Sequence, residues 1–199
     1  FALVDKSDNS ITRMLNGNRG ITLGDNQYPR AIYTLWTEAE RNAINIYTVT
    51  IDTSKRKDEK WYINTDITYS FDGTNATGSY GDATAKPHAD ANATDDDGVD
   101  LDPVIVIEGL KTVLIRQVKA QAEGELNRTD WYISRKAEKN TAIPSAITTH
   151  RDAVRSKQAS MCTAITNASD TPALETLYAY TTNDSGVTSR PLGEIPTLE

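Results

Sequence analysis

Asp95, Asp97, Asp100 and Asp102 fall within one acidic stretch, DDDGVDLD. Clustered carboxylate oxygens are the donors that a hard cation such as calcium prefers. The register departs from an EF-hand loop, however. With Gly98 at the sixth position, Ala93 stands at the first and Val104 at the twelfth, where carboxylates belong. A solvated acidic loop is therefore expected, not a metal site. His88 and His150 are far apart, and neither has a cysteine or second histidine at zinc-ligand spacing. Cys162 follows Met161 on an apolar stripe, where a thiol is a buried or half-buried side chain rather than a nucleophile. No Gly-x-Ser-x-Gly elbow, phosphate-binding glycine loop or dinucleotide fingerprint occurs. No catalytic residue and no cofactor is expected, so the chain reads as non-enzymatic. Trp61, Tyr62, Tyr69 and Tyr80 could offer a face on which a sugar ring stacks. Trp61 and Tyr62 are adjacent, so on a strand they point to opposite sides and one is expected in the core. Anchoring of another protein surface is the preferred use of such aromatics.

Bulk properties narrow the classes further. The 199 residues suit one large domain or two small ones. Apolar residues make up 38% and mean hydropathy is -0.53, so the core should be thin or shared with other subunits. A net charge of -7 disfavours nucleic acid and anionic membrane as partners. One cysteine allows no internal disulfide. No stretch approaches the roughly 20 apolar residues of a membrane span. The opening FALVDKSDNS turns polar after four residues, unlike a secretory signal, so synthesis in the cytoplasm is expected.

Several elements would position these residues. FALVD and ITRML read as short strands around the turn KSDNS, while NGNRG and LGDNQYP read as loops. Thr37 and Glu40 fit a capping box opening a short helix, and INIYTVTID alternates as a strand. WYINTDITYSF and NATGSY flank Asp72-Gly73 as an exposed hairpin over residues 60–81. Residues 88–102 lack periodicity and large apolar side chains, and read as a loop that is mobile unless a neighbour pins it. A helix is predicted over 104–127, started by Pro103 and capped by Asp100 or Asp102. A second is predicted over 145–169 with Ser145 as cap, then a short helix at Thr171-Pro172 and a turn at Asp184-Ser185-Gly186. The fold class is α+β: an N-terminal β-rich domain over 1–87 with a central hairpin, an acidic linker over 88–103, and a C-terminal antiparallel helical hairpin over 104–199. Leu110, Leu114 and Val118 should face Val154, Met161 and Ile165, leaving Ile107 and Ile115 for another chain.

One run of residues carries a resemblance. Thr129-Asp130-Trp131, then Arg135, Glu138, Pro144, Arg151 and Arg155, resembles a helical module of tailed-bacteriophage tail proteins. YPRAIYTLWTEAERNAINIYTV, the aromatic hairpin and the closing SRPLGEIPTLE are similar to segments of such proteins, in the same order. The resemblance implies a virion structural protein of the tail, fibre-associated, made in the host cytoplasm and docked to other tail proteins. A tail-fibre assembly chaperone and a receptor carbohydrate-binding module are the alternatives. It also implies a homo-oligomer, a trimer first. Trp131 and Tyr132 would close the open end of the helical hairpin, Arg151 and Arg155 would hold carboxylates such as Glu138, and all four are interface candidates with Ile107 and Ile115.

Overall fold

In chain order the computed structural model, which describes residues 1–198, begins with β1 (Ala2–Asp5), β2 (Ser10–Met14), β3 (Ile21–Leu23) and β4 (Asn26–Tyr28). Helices α1 (Ile32–Leu35) and α2 (Glu38–Ala43) follow, then β5 (Ile46–Tyr47), β6 (Val49–Asp52), β7 (Tyr62–Ile63), β8 (Ile67–Phe71), β9 (Ala76–Tyr80) and β10 (Thr84–Ala85). Next come β11 (Ala91–Asn92), β12 (Val106–Ile107), α3 (Leu110–Asn127), α4 (Asp130–Lys139), α5 (Ser145–Asn167) and α6 (Thr171–Tyr178). A last pair of strands is β13 (Thr181–Thr182) and β14 (Thr188–Ser189). The fold is α+β, and the chain divides into one unit over Phe1–Thr84 and another from Ala85 onward.

In the first unit, β1 is the middle strand between antiparallel partners β2 and β5. Its alternation serves two cores. Ala2 and Val4 pack with Tyr47, Phe71 and Ala76 on one face, while Phe1 and Leu3 pack with Ile21, Ile32 and Ile46 on the other. The β1–β2 turn forms as its composition demands: Asp5 accepts from the Ser7 amide at 2.8 Å and Asp8 from the Ser10 amide at 2.9 Å. The Thr37–Glu40 capping box is present at α2. LGDNQYP, read as loop, instead closes the β3–β4 hairpin, because Gly24 takes the left-handed turn conformation at φ +57°. The predicted hairpin of β8 and β9 forms around Asp72-Gly73, yet β9 is not exposed on its far side, where β6 runs parallel to it. Trp61 and Tyr62 are both buried, contrary to the strand-alternation argument. Both amides bond to the Asp58 carbonyl: Trp61 ends a turn and the strand begins only at Tyr62, so alternation does not extend to Trp61.

In the second unit, α3 and α5 pack antiparallel. Lys111 meets the Thr166 carbonyl at one end, and Glu125 meets His150 at the other. The shared stripe buries Leu114, Val118 and Ala122 of α3 and Val154, Met161 and Ile165 of α5. Each large side chain there contributes about 1.5–3 kcal/mol. Leu110 is only half-buried.

Residues 104–109 correct the predicted helix start. Val104–Ile107 is a β-branched run that favours extended backbone, and β12 pairs antiparallel with β11. The pairing continues inward through Ala93 N to Ile105 O, Leu101 N to Ala93 O and Asp95 N to Val99 O. The acidic segment is thus a hydrogen-bonded ribbon of the second unit, not a structureless linker. Neither Asp100 nor Asp102 caps α3. Asp90, the residue before β11, does so: its carboxylate accepts from the Gly109 amide at 2.7 Å and the Thr112 hydroxyl at 2.8 Å. The Leu110 and Lys111 amides donate to the carbonyls of Pro87 and His88.

Two glycines of this region should respond oppositely to a methyl group. A Cβ at Gly109 would overlap the Ala89 backbone, whereas Gly124, inside α3, faces open space. Gly109→Ala is expected to destabilise the helical unit by about 1–3 kcal/mol. Gly124→Ala is expected to stabilise it by about 0.5–1 kcal/mol, the helix-propensity difference. Thermal melting followed by the helical dichroism signal checks both signs.

Candidate functional site

The end of α3 sets the geometry of the main polar cluster. A helix leaves its last carbonyls without intrahelical partners, and here one of them, on Leu126, meets a buried side chain from α5. Arg151, 7% exposed, enters from α5. One of its terminal nitrogens lies 2.8 Å from the Leu126 carbonyl, 2.6 Å from the Thr129 hydroxyl and 2.8 Å from the Asp130 carboxylate. A cation at this spot also complements the partial negative charge at the helix C-terminus. Thr129 in turn donates its hydroxyl to Leu126 O at 2.9 Å. That bond turns the Thr129 side chain back toward α3, and it makes no cap hydrogen bond to α4.

One half-turn earlier, Glu125 faces the same corner. Its carboxylate accepts from Arg128 at 2.9 Å and from the Leu198 amide at 2.7 Å, and shares a 3.1 Å hydrogen bond with His150 Nε2. The Leu198 amide chiefly, together with Arg128, holds the Glu125 carboxyl below the ordinary glutamate range, against the effect of burial. The tail is pinned at further points. Leu192 is buried, its amide bonds to Leu177 O and its carbonyl accepts from Lys157 at 2.8 Å. Arg190 lies over the Tyr178 and Tyr180 rings and pairs with Glu194 at 2.6 Å.

Glu125 and His150 form a carboxylate–imidazole pair, the orienting half of a nucleophilic constellation. The Thr129 hydroxyl, at the same corner, is occupied on both sides by Leu126 O and Arg151. Cys162 is twelve residues farther along α5, roughly 18 Å from His150 at the helical rise. The cluster fixes a corner and a tail. Comparison with protein-family profiles, with curated proteins and with solved structures finds no match for this chain.

The acidic residues do not converge. Asp95 accepts from the amides of Asp97 and Val99, and Asp100 accepts from the Asn92 side chain at 2.6 Å. Asp97 and Asp102 point their carboxylates to no partner among the described residues, and no three metal-ligating side chains gather there.

The interface candidates separate into two groups. Arg151 is a buried structural cation rather than a surface group, and Arg155 pairs with Asp152 at 3.2 Å rather than Glu138. Ile107 stands exposed on β12 instead of the predicted helix, and Ile115 is half-buried on α3. Trp131 and Tyr132 do not close the helical hairpin. They lie on α4, stacked with ring centroids 3.8 Å apart, with Arg135 4.7 Å above Trp131, which is 51% exposed. The Glu125–His150–Leu198 contacts escaped the sequence reading. Glu125 and Arg128 at i,i+3 spacing were a local signal. A bond spanning 73 residues has none.

Arg151→Met is expected to lower the stability of the helical unit by about 1–2 kcal/mol, since it removes charge-assisted bonds to the Leu126 carbonyl and the buried Thr129 hydroxyl, whereas the half-exposed Asp130 carboxylate can turn to water. Arg155→Met, at an exposed pair, should change it by less than about 0.5 kcal/mol. Chemical denaturation compares the two. The Glu125 bonds carry a pH signature. The folded state holds this proton more weakly than the unfolded chain, so the contribution is full above the ordinary glutamate range and fades as pH falls through the lower folded value. Melting followed from neutral pH downward should show this loss, and Glu125→Gln should remove that part of the pH dependence.

Proposed function

We propose that this chain is a non-enzymatic structural component of a bacteriophage tail, fibre-associated, that works by docking to other tail proteins and to copies of itself. The ordered series of segments resembling tail proteins is the starting point, from YPRAIYTLWTEAERNAINIYTV through TDWYISRKAEKNTAIPSAITTHRDAVR to SRPLGEIPTLE. The observation that carries it is the division of labour among side chains. The buried charged groups of the helical unit are spent on its own corner and tail, whereas large apolar groups stand uncovered. Val104, Ile105, Val106, Ile107 and Trp131 are each more than half exposed. Uncovered apolar and aromatic patches of this kind suit protein contacts. A trimer is the assembly this reading favours. No helix among the described residues is long and apolar enough to cross a membrane.

Mass spectrometry of purified particles tests the reading. Stoichiometric presence in the virion is the expected result. Presence in the lysate with absence from particles would assign the chain to tail-fibre assembly instead, and reproducible hits on a glycan array would assign it to receptor binding.

A further inference from the structure

Between Pro87 and Leu110 the chain carries seven acidic side chains and no lysine or arginine. Four are occupied: Asp90 caps α3, Asp95 and Asp100 brace the ribbon, and Glu108 pairs with Arg116 at 2.7 Å. The carboxylates of Asp96, Asp97 and Asp102 have no hydrogen-bond or ion-pair partner among the described residues. Beside them the ribbon exposes Val99 and the unbroken run Val104–Ile107. A two-stranded ribbon with bare apolar side chains is a surface that a partner covers. Its charge narrows the partner. A twofold contact of this ribbon with itself would press aspartates against aspartates, so the matching surface must be basic.

The first unit carries such a surface. The end of β2 and the residues after it, 13–21, form with Tyr33 a cleft of about 460 Å³. Arg13 and Arg19 line it, no acidic side chain does, and neither arginine has an ion-pair partner among the described residues. Met14, Leu15 and Ile21 supply apolar walls, and Met14 is 42% exposed. Ribbon and cleft are complementary in charge, and both are apolar between the charges.

We propose that the acidic ribbon of one copy seats in the Arg13–Arg19 cleft of a neighbouring copy, so that the chain assembles head to tail. Asp96 and Asp97 face the two arginines, and the Val104–Ile107 run covers the apolar walls. A contact between two different surfaces closes into a ring or grows as a filament, and three copies closing a ring would give the trimer. The inference rests on the self-association in the functional proposal and names the surfaces that perform it.

Light scattering on the full chain at micromolar concentration, at low and high salt, tests this with two charge reversals. D96K/D97K alters only the ribbon and R13E/R19E only the cleft. None of these four side chains has an intramolecular ion pair among the described residues, and circular dichroism verifies that each variant remains folded. Each variant alone is expected to weaken association about tenfold or more, and added salt should weaken the unmodified chain. Mixing the two variants one to one should restore assembly, because each then finds a complementary surface. An assembled parent chain whose association is unchanged by either reversal would overturn this interface and leave self-association standing. Loss of association without rescue on mixing would overturn it equally. A parent chain that stays monomeric would overturn both the interface and the oligomer. Particle proteomics judges the tail assignment separately.

Discussion

Much of the second unit follows from the way α3 ends, against the buried side chains of Thr129 and Arg151. Arg151 reaches this end from across the helix pair, with one guanidinium bonding to Leu126, Thr129 and Asp130. These contacts fix where α4 begins and which turn of α5 lies beside it. A buried ion is costly to desolvate, so its main yield is register rather than stability. An apolar side chain at that position would pack, but it would not select one alignment of α5 against α3.

The start of α3 is treated with equal economy. Asp90 and the carbonyls of Pro87 and His88 supply what its first amides lack. The ribbon strand β11 leaves directly from this cap, so the ribbon is anchored at its base while its tip remains free of the helical core. Apolar side chains at 104–107 stay outside for a geometric reason. The strand that bears them is held by one neighbour, β11, and their side chains are each more than half exposed. The polar cap and the bare apolar run are therefore one arrangement.

Local chemistry was legible in the sequence, and long-range chemistry was not. The capping box at Thr37, the hairpin at Asp72-Gly73, the helix beginning at Ser145 and the stripe of Leu114, Val118, Val154, Met161 and Ile165 each follow from spacing alone. The predicted helix start failed because Pro103 and an aspartate form a plausible N-terminus, while the β-branched run behind them prefers strand when a partner exists. That partner, Ala91–Asn92, is too short and polar to announce itself. Trp131 and Tyr132 were expected to close the helical hairpin, yet they belong to a separate helix, α4, which Asn140 ends in the left-handed conformation. Arg151 and Arg155 looked equivalent at i,i+4. Only the fold decides that one is enclosed and the other is in water.

The tail bonds also impose an order on synthesis. Every strand pairing of the first unit's two three-stranded sheets is complete once Tyr80 has emerged. The second unit must wait. Thr171 bonds to Lys86 across 85 residues, and Glu125 receives the Leu198 amide across 73. Chains emerge at about 5–20 residues per second, so the first unit has several seconds to fold before those partners exist. During that interval α3 carries its apolar stripe with no α5 to cover it. The nascent helical unit is thus the stage most exposed to wrong contacts, and a slow-translating segment after residue 127 would lengthen that exposure, whereas one after residue 84 would not.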